Sequence, residues 1–217
     1  MNKPVYKNII FDLDGTLTDS QEGIVKSIIA ALKALGINAG KEENLAKYIG
    51  IPLQELFQKH FNIPESKLES AVFHFRDYYM RQGIYENRLY PGIKEMLDSL
   101  VVSSKLFIAT SKLENNALIV LRNFKIDHYF SGIAGANAAG THSGKTYLIT
   151  RLLNEYHLEA KSSIVMVGDT IMDIRAANEC NIDSIAVTYG YGSLEEINAY
   201  KPTYLAHTVN ELKEILL

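Results

Sequence analysis

Lys7-Asn8-Ile9-Ile10-Phe11, running into Asp12-Leu13-Asp14-Gly15-Thr16, decides how the rest of the chain is read. An apolar run that ends abruptly in acids and a glycine predicts a buried strand opening into a polar turn. Comparable runs follow at 105–110, 129–134, 163–167 and 184–188, and stretches of helical period separate most of them. The helices are expected from Gly92 to about Leu100, up to about Asn123, over 145–156 and 171–179, and from Thr208 onward. Strands and helices alternating at this length predict a doubly wound α/β fold, a parallel sheet covered on both faces.

The range 20–88 interrupts that alternation. Ile24, Ile28, Ala31, Leu32 and Leu35 recur at helical spacing before Gly36. Further helices are predicted near 52–60 and 66–81, with no strand between Ser20 and Arg88. One strand precedes this block and the others follow it, so the block reads as an insertion. Residues 1–17 and 89–217 would form the α/β core, and 18–88 an inserted α-helical cap.

Composition narrows the function classes. The chain has 217 residues, 47% hydrophobic and 22% charged, with a net charge of −3 and a pI of 6.1. That is the make-up of a globular protein with a core, not of a disordered or fibrous chain. The absence of a basic surplus argues against a nucleic-acid partner. No apolar run is long enough for a membrane helix and Met1–Lys7 lacks a secretory h-region, so the expected location is the cytoplasm. The single cysteine, Cys180, is read as a buried small hydrophobe. The oligomeric state, monomer or dimer, is not legible.

In open parallel sheets ligands bind beyond the carboxyl ends of the strands, and three ends carry polar groups. The first offers Asp12 and Asp14, which would repel each other in a pocket unless a cation or proton were present. Gly15 allows a turn that aims N–H groups inward, as phosphate-cradling loops do. A solvated acidic turn is the competing reading. The second offers the hydroxyls of Thr110 and Ser111, suited to a phosphoryl oxygen or to capping the helix near Glu114. The third is Gly168-Asp169 with Asp173 four residues on, able to hold a hard cation, unless Asp169 merely caps its helix. Lys145 opens a helix and could reach the same edge. Gly140–Thr146 imitates a P-loop, but Ala139 stands where that motif needs glycine.

Taken in order, Asp-x-Asp-Gly-Thr, a hydroxyl after a strand, a lysine and Gly-Asp-x-x-x-Asp resemble the haloacid dehalogenase superfamily. The likeness, from Phe11 through Tyr189-Gly190-Tyr191-Gly192-Ser193, is to its capped, phosphoglycolate phosphatase-like branch, which implies a Rossmann-like core. The resemblance implies Asp12 as the nucleophile that becomes an aspartyl-phosphate, and Asp14 as the acid and base. It implies Thr110 and Lys145 on the phosphoryl group, with Lys112 as a rival because Thr146, not proline, follows Lys145. Mg²⁺ would be held by Asp12, the Asp14 carbonyl and Asp169, supported by Asp173. Substrate contacts would come from Gly15, Thr16, Ser111 and, in the cap, Gly50. The implied substrate is a small phosphorylated metabolite. A sugar phosphomutase shares the machinery, and a receiver-type phospho-acceptor module is a further alternative that normally lacks the helical insertion and Asp14.

Overall fold

The computed structural model describes residues 5–42, 45–137, 144–159 and 161–217. In chain order the main elements are β1 (Asn8–Phe11), α1 (Gln21–Ala34), α2 (Glu65–Tyr78), α3 (Ile93–Leu100), β2 (Lys105–Leu113), α4 (Glu114–Asn123), β3 (Phe130–Ala136), α5 (Lys145–Glu155), β4 (Ile164–Gly168), α6 (Ile171–Cys180), β5 (Asp183–Val187), α7 (Leu194–Ala199), β6 (Tyr204–Ala206) and α8 (Val209–Leu216). The six strands form one parallel sheet in the order β3-β2-β1-β4-β5-β6. The chain starts in the middle of the sheet and winds outward both ways, as the alternation predicted.

Register places the first strand's end at the centre of one edge. Phe11 lies opposite Ile108 of β2 on one side and Val167 of β4 on the other. Residues after all three strands therefore emerge side by side. Beneath them Ile10, Phe107 and Met166 pack with Leu148, Ile149, Ala176 and Ala177 in a core sealed from water. Cys180 belongs to the same cluster and is buried, as expected.

The chain divides into two compact units, Met1–Asp19 with Leu89–Leu217, and Ser20–Arg88. The two passages between them leave and return side by side, since Tyr90 N–H donates to the Leu17 carbonyl at 3.1 Å. Within the helical unit, Ile28, Ala31 and Leu32 of α1 are buried, and Lys26 bridges Glu22 at 2.6 Å and Glu86 at 2.8 Å. Phe75 stacks on Tyr79 at 5.9 Å and meets Phe57 edge-on, while Phe73 faces solvent.

Several boundaries differ from expectation. The helix predicted near 52–60 is a single α-turn, Leu53–Glu55, widening into a π-turn at Leu56–His60. The one predicted over 66–81 ends its α-helical part at Tyr78 and widens over Tyr79–Gly83. β2 runs three residues past Thr110, with a register irregularity there against β3. β6 and the short α7 before it are additions, too brief to leave a periodic signal. Among the described residues no helix is long and apolar enough to cross a membrane.

Candidate active site

Asp12 leaves β1 still bound into the sheet: its N–H donates to the Val167 carbonyl at 2.8 Å, and its Oδ1 accepts the Leu13 N–H at 2.7 Å. The chain then reverses in a tight turn in which Gly15 N–H donates to Thr18 at 2.7 Å. That donor is consumed inside the turn instead of facing a ligand as the sequence suggested. Glycine is needed at 15 for two other reasons. Its φ is +90°, and a Cβ there would come within 2.2 Å of Asp169 Oδ2.

Asp169 follows β4 and is buried, each oxygen already engaged. Thr16 Oγ1 donates to Oδ1 at 3.1 Å, and Tyr191 N–H donates to Oδ2 at 2.8 Å. It is not the helix cap. Thr170 occupies that position in a capping box with Asp173, whose Oδ2 accepts both the Thr170 N–H and hydroxyl. Asp173 Oδ1 is left to face Lys145.

Lys145, at the start of α5, donates to the Ala109 carbonyl at 3.0 Å and forms ion pairs with Asp12 Oδ1 and Asp173 Oδ1, each at 2.8 Å. Lys112 pairs instead with Asp14 Oδ2 at 2.6 Å. The two candidate lysines thus divide the two strand-end aspartates between them. Thr110 is buried beside them and accepts the Lys112 N–H at 3.2 Å, while Ser111 is exposed. Neither hydroxyl caps α4, whose N-cap is Leu113 without a side-chain hydrogen bond.

One oxygen from each of Asp12, Asp169 and Asp173 lies within 4.8 Å of the others, all buried. Three carboxylates therefore face one ammonium. Burial pushes Asp12 up to about 6 in spite of the pull of Lys145. Burial, and then the charges of Asp12 and Asp173, push Asp169 up to about 8. Burial draws Lys145 down, but Asp12 and Asp173 outweigh it and hold the ammonium firmly charged. Asp14 Oδ1 is buried with no hydrogen-bond partner. This surplus of negative charge, in hard oxygen donors, fits a divalent cation.

Gly50 lies in the helical unit with φ +89°, in the turn before Pro52. Arg81 pairs with Asp77 at 2.8 Å on a solvated helix face. The P-loop-like segment falls largely on 138–143, outside the described residues.

The sequence reading missed a fourth strand end. After β5 the chain continues Tyr189-Gly190-Tyr191-Gly192, and Tyr191 supplies the Asp169 contact. A glycine and polar pattern following a parallel strand was the available signal.

Against known proteins, the family profile described as haloacid dehalogenase-like hydrolase matches residues 9–187. The chain is 38% identical to a 5'-nucleotidase of Pseudomonas aeruginosa, over 97% of this chain and 96% of that one. It is 35% identical to the tyrosine-protein kinase PtkA of Mycobacterium tuberculosis over 96% of this chain and 72% of that one, and 29% identical to a phosphoglycolate phosphatase of Vibrio parahaemolyticus over 100% and 98%. A solved Clostridium difficile structure superposes with a TM-score of 0.92 at 43% identity, covering 99% of this chain and 100% of that one. Strand order, catalytic edge and sequence agree: the chain belongs to the haloacid dehalogenase-like hydrolases.

Proposed function

We propose that this hydrolase is a Mg²⁺-dependent phosphatase acting on small phosphate monoesters through an aspartyl-phosphate at Asp12. The observation that carries the reading is the buried cluster of Asp12, Asp169 and Asp173 against Lys145. Relatives named 5'-nucleotidase and phosphoglycolate phosphatase support it.

Asp12 and Asp169, with the Asp14 main-chain carbonyl, would hold Mg²⁺. When bound, the ion supplies the positive charge that lets a phosphate dianion approach these carboxylates. Asp12 then attacks phosphorus while the bond to the alcohol oxygen breaks, and Asp14 gives that oxygen its proton. Asp14 next takes a proton from water, whose oxygen displaces Asp12 from phosphorus and yields inorganic phosphate. Lys145 neutralises the transferring group, and Thr110 offers it a hydroxyl. Asp173 acts by holding Lys145 between itself and Asp12. Choice of leaving group, whether a phosphorylated acid, nucleotide or sugar, we assign to the helical unit.

The test compares wild type and Asp12→Asn on an aryl phosphate with and without Mg²⁺. The reading requires turnover in wild type with Mg²⁺ alone; metal-independent turnover, or full activity in the variant, defeats it. Product analysis with sugar phosphates, and with ATP plus a tyrosine peptide, separates transfer to water from transfer to another acceptor.

A further inference from the structure

The loop after β5 makes four contacts that hydrolysis as described above does not use. Tyr191 N–H holds Asp169, and the Tyr191 phenol donates to Asp19 Oδ1 at 3.0 Å. Tyr189 donates its phenol to the Thr16 carbonyl at 3.1 Å, and its ring meets that of Tyr90 at 4.8 Å. Between them Gly190 runs so close to the site that a Cβ there would lie 2.4 Å from both the Asp169 Cβ and the Gly15 carbonyl. Asp19 is the last core residue before the chain leaves for the helical unit, and Tyr90 is the second after it returns. One short loop therefore grips the Asp169 carboxylate, the Asp14–Thr16 turn and both ends of the passage.

We infer that Tyr191 is a positioning residue: clasping Asp19, its phenol anchors the loop whose amide aims the Asp169 carboxylate at the bound cation. The inference rests on Asp169 being a Mg²⁺ ligand. The loop replaces solvent as the neighbour of Asp169 and, together with Thr16, fixes both of its oxygens, one of which lies within 4.8 Å of an oxygen of Asp12 and of Asp173. Tyr191→Phe deletes the phenolic link to Asp19. It leaves the main-chain N–H, the ring and the packing.

The experiment is calorimetric titration of Mg²⁺ into the full chain, alongside melting temperature, so that the readout does not require turnover. Tyr191→Phe and Asp19→Ala should each weaken Mg²⁺ binding about threefold to tenfold, less than loss of a direct partner of a metal ligand. Asp19→Asn retains an acceptor and should bind as wild type. The double variant Tyr191→Phe/Asp19→Ala should lose less than the two single losses combined, because the two changes share the phenol–carboxylate link. Unchanged Mg²⁺ affinity in Tyr191→Phe, with or without a lowered melting temperature, overturns the inference, as does full additivity. Weakened binding in a chain that hydrolyses no phosphate monoester supports the clasp and defeats the phosphatase reading. A wild-type chain that binds no Mg²⁺ overturns both.

Discussion

Lys112 Nζ lies 2.6 Å from Asp14 Oδ2, in a pair that is mostly shielded from water. The partner of Asp12 is a different lysine, Lys145, drawn from the start of α5, whereas Lys112 lies in β2. Each of the two aspartates separated by Leu13 thus has its own cation. Two carboxylates this close in sequence can then serve as nucleophile and acid without sharing one counter-charge.

Replacing Lys112 by methionine keeps the stem and deletes the charge, leaving Asp14 without the group that holds it. Steady-state kinetics should show kcat falling about tenfold to hundredfold, the scale of a misplaced general acid. Mg²⁺ half-saturation should stay near wild type, since Lys112 pairs with Asp14 while Lys145 is the lysine against Asp12 and Asp173. A wild-type kcat in Lys112→Met would remove Lys112 from the account.

Mg²⁺ should stabilise the fold more at alkaline than at acid pH. Asp12 sits at about 6 and Asp169 at about 8, both above the ordinary carboxylate range. Without a cation the folded chain retains protons that the unfolded chain releases, so stability is full at acid pH and declines as pH rises through about 6 and 8. A bound divalent ion favours the charged carboxylates and cancels the decline. Melting temperatures with EDTA and with Mg²⁺ should diverge steadily from about pH 5 to pH 8.5. A difference that stays constant or shrinks over that range would contradict the burial argument.

Gly15→Ala should be far costlier than Gly36→Ala, although both positions have positive φ, +90° and +73°. At Gly36 a Cβ meets nothing within 4 Å, leaving only backbone strain of about 1 kcal/mol. At Gly15 it strikes Asp169, adding an overpacking cost of about 1–3 kcal/mol. Denaturant melts of the two variants measure the difference, and Gly15→Ala should also lose Mg²⁺ affinity. Equal costs would mean that the turn and Asp169 do not touch as described.

What the sequence made legible follows from locality. β1, β2 and β4 are buried on both faces, so they appear as unbroken apolar runs, and the polar residue closing each run was visible by position alone. The Thr170–Asp173 capping box spans one helical turn, yet Asp169 looked equally able to cap until the backbone placed Thr170 there. Which lysine meets which aspartate was not legible, because Lys112 and Asp14 are 98 residues apart and only the β1–β2 register brings them together. The Tyr191 contact to Asp169 depends likewise on β5 lying beside β4. Short β6, three residues long, has no period to detect.

Covalent phosphorylation of Asp12 is tested most directly by acid quench during the first turnover of a Mg²⁺-loaded reaction, followed by peptide mass analysis. A phosphoryl group is expected on the peptide carrying Asp12, appearing before inorganic phosphate reaches its steady rate and absent from Asp12→Asn. Hydrolysis at full rate with that peptide unmodified at every quench time, or with the phosphoryl group on another residue, would contradict it.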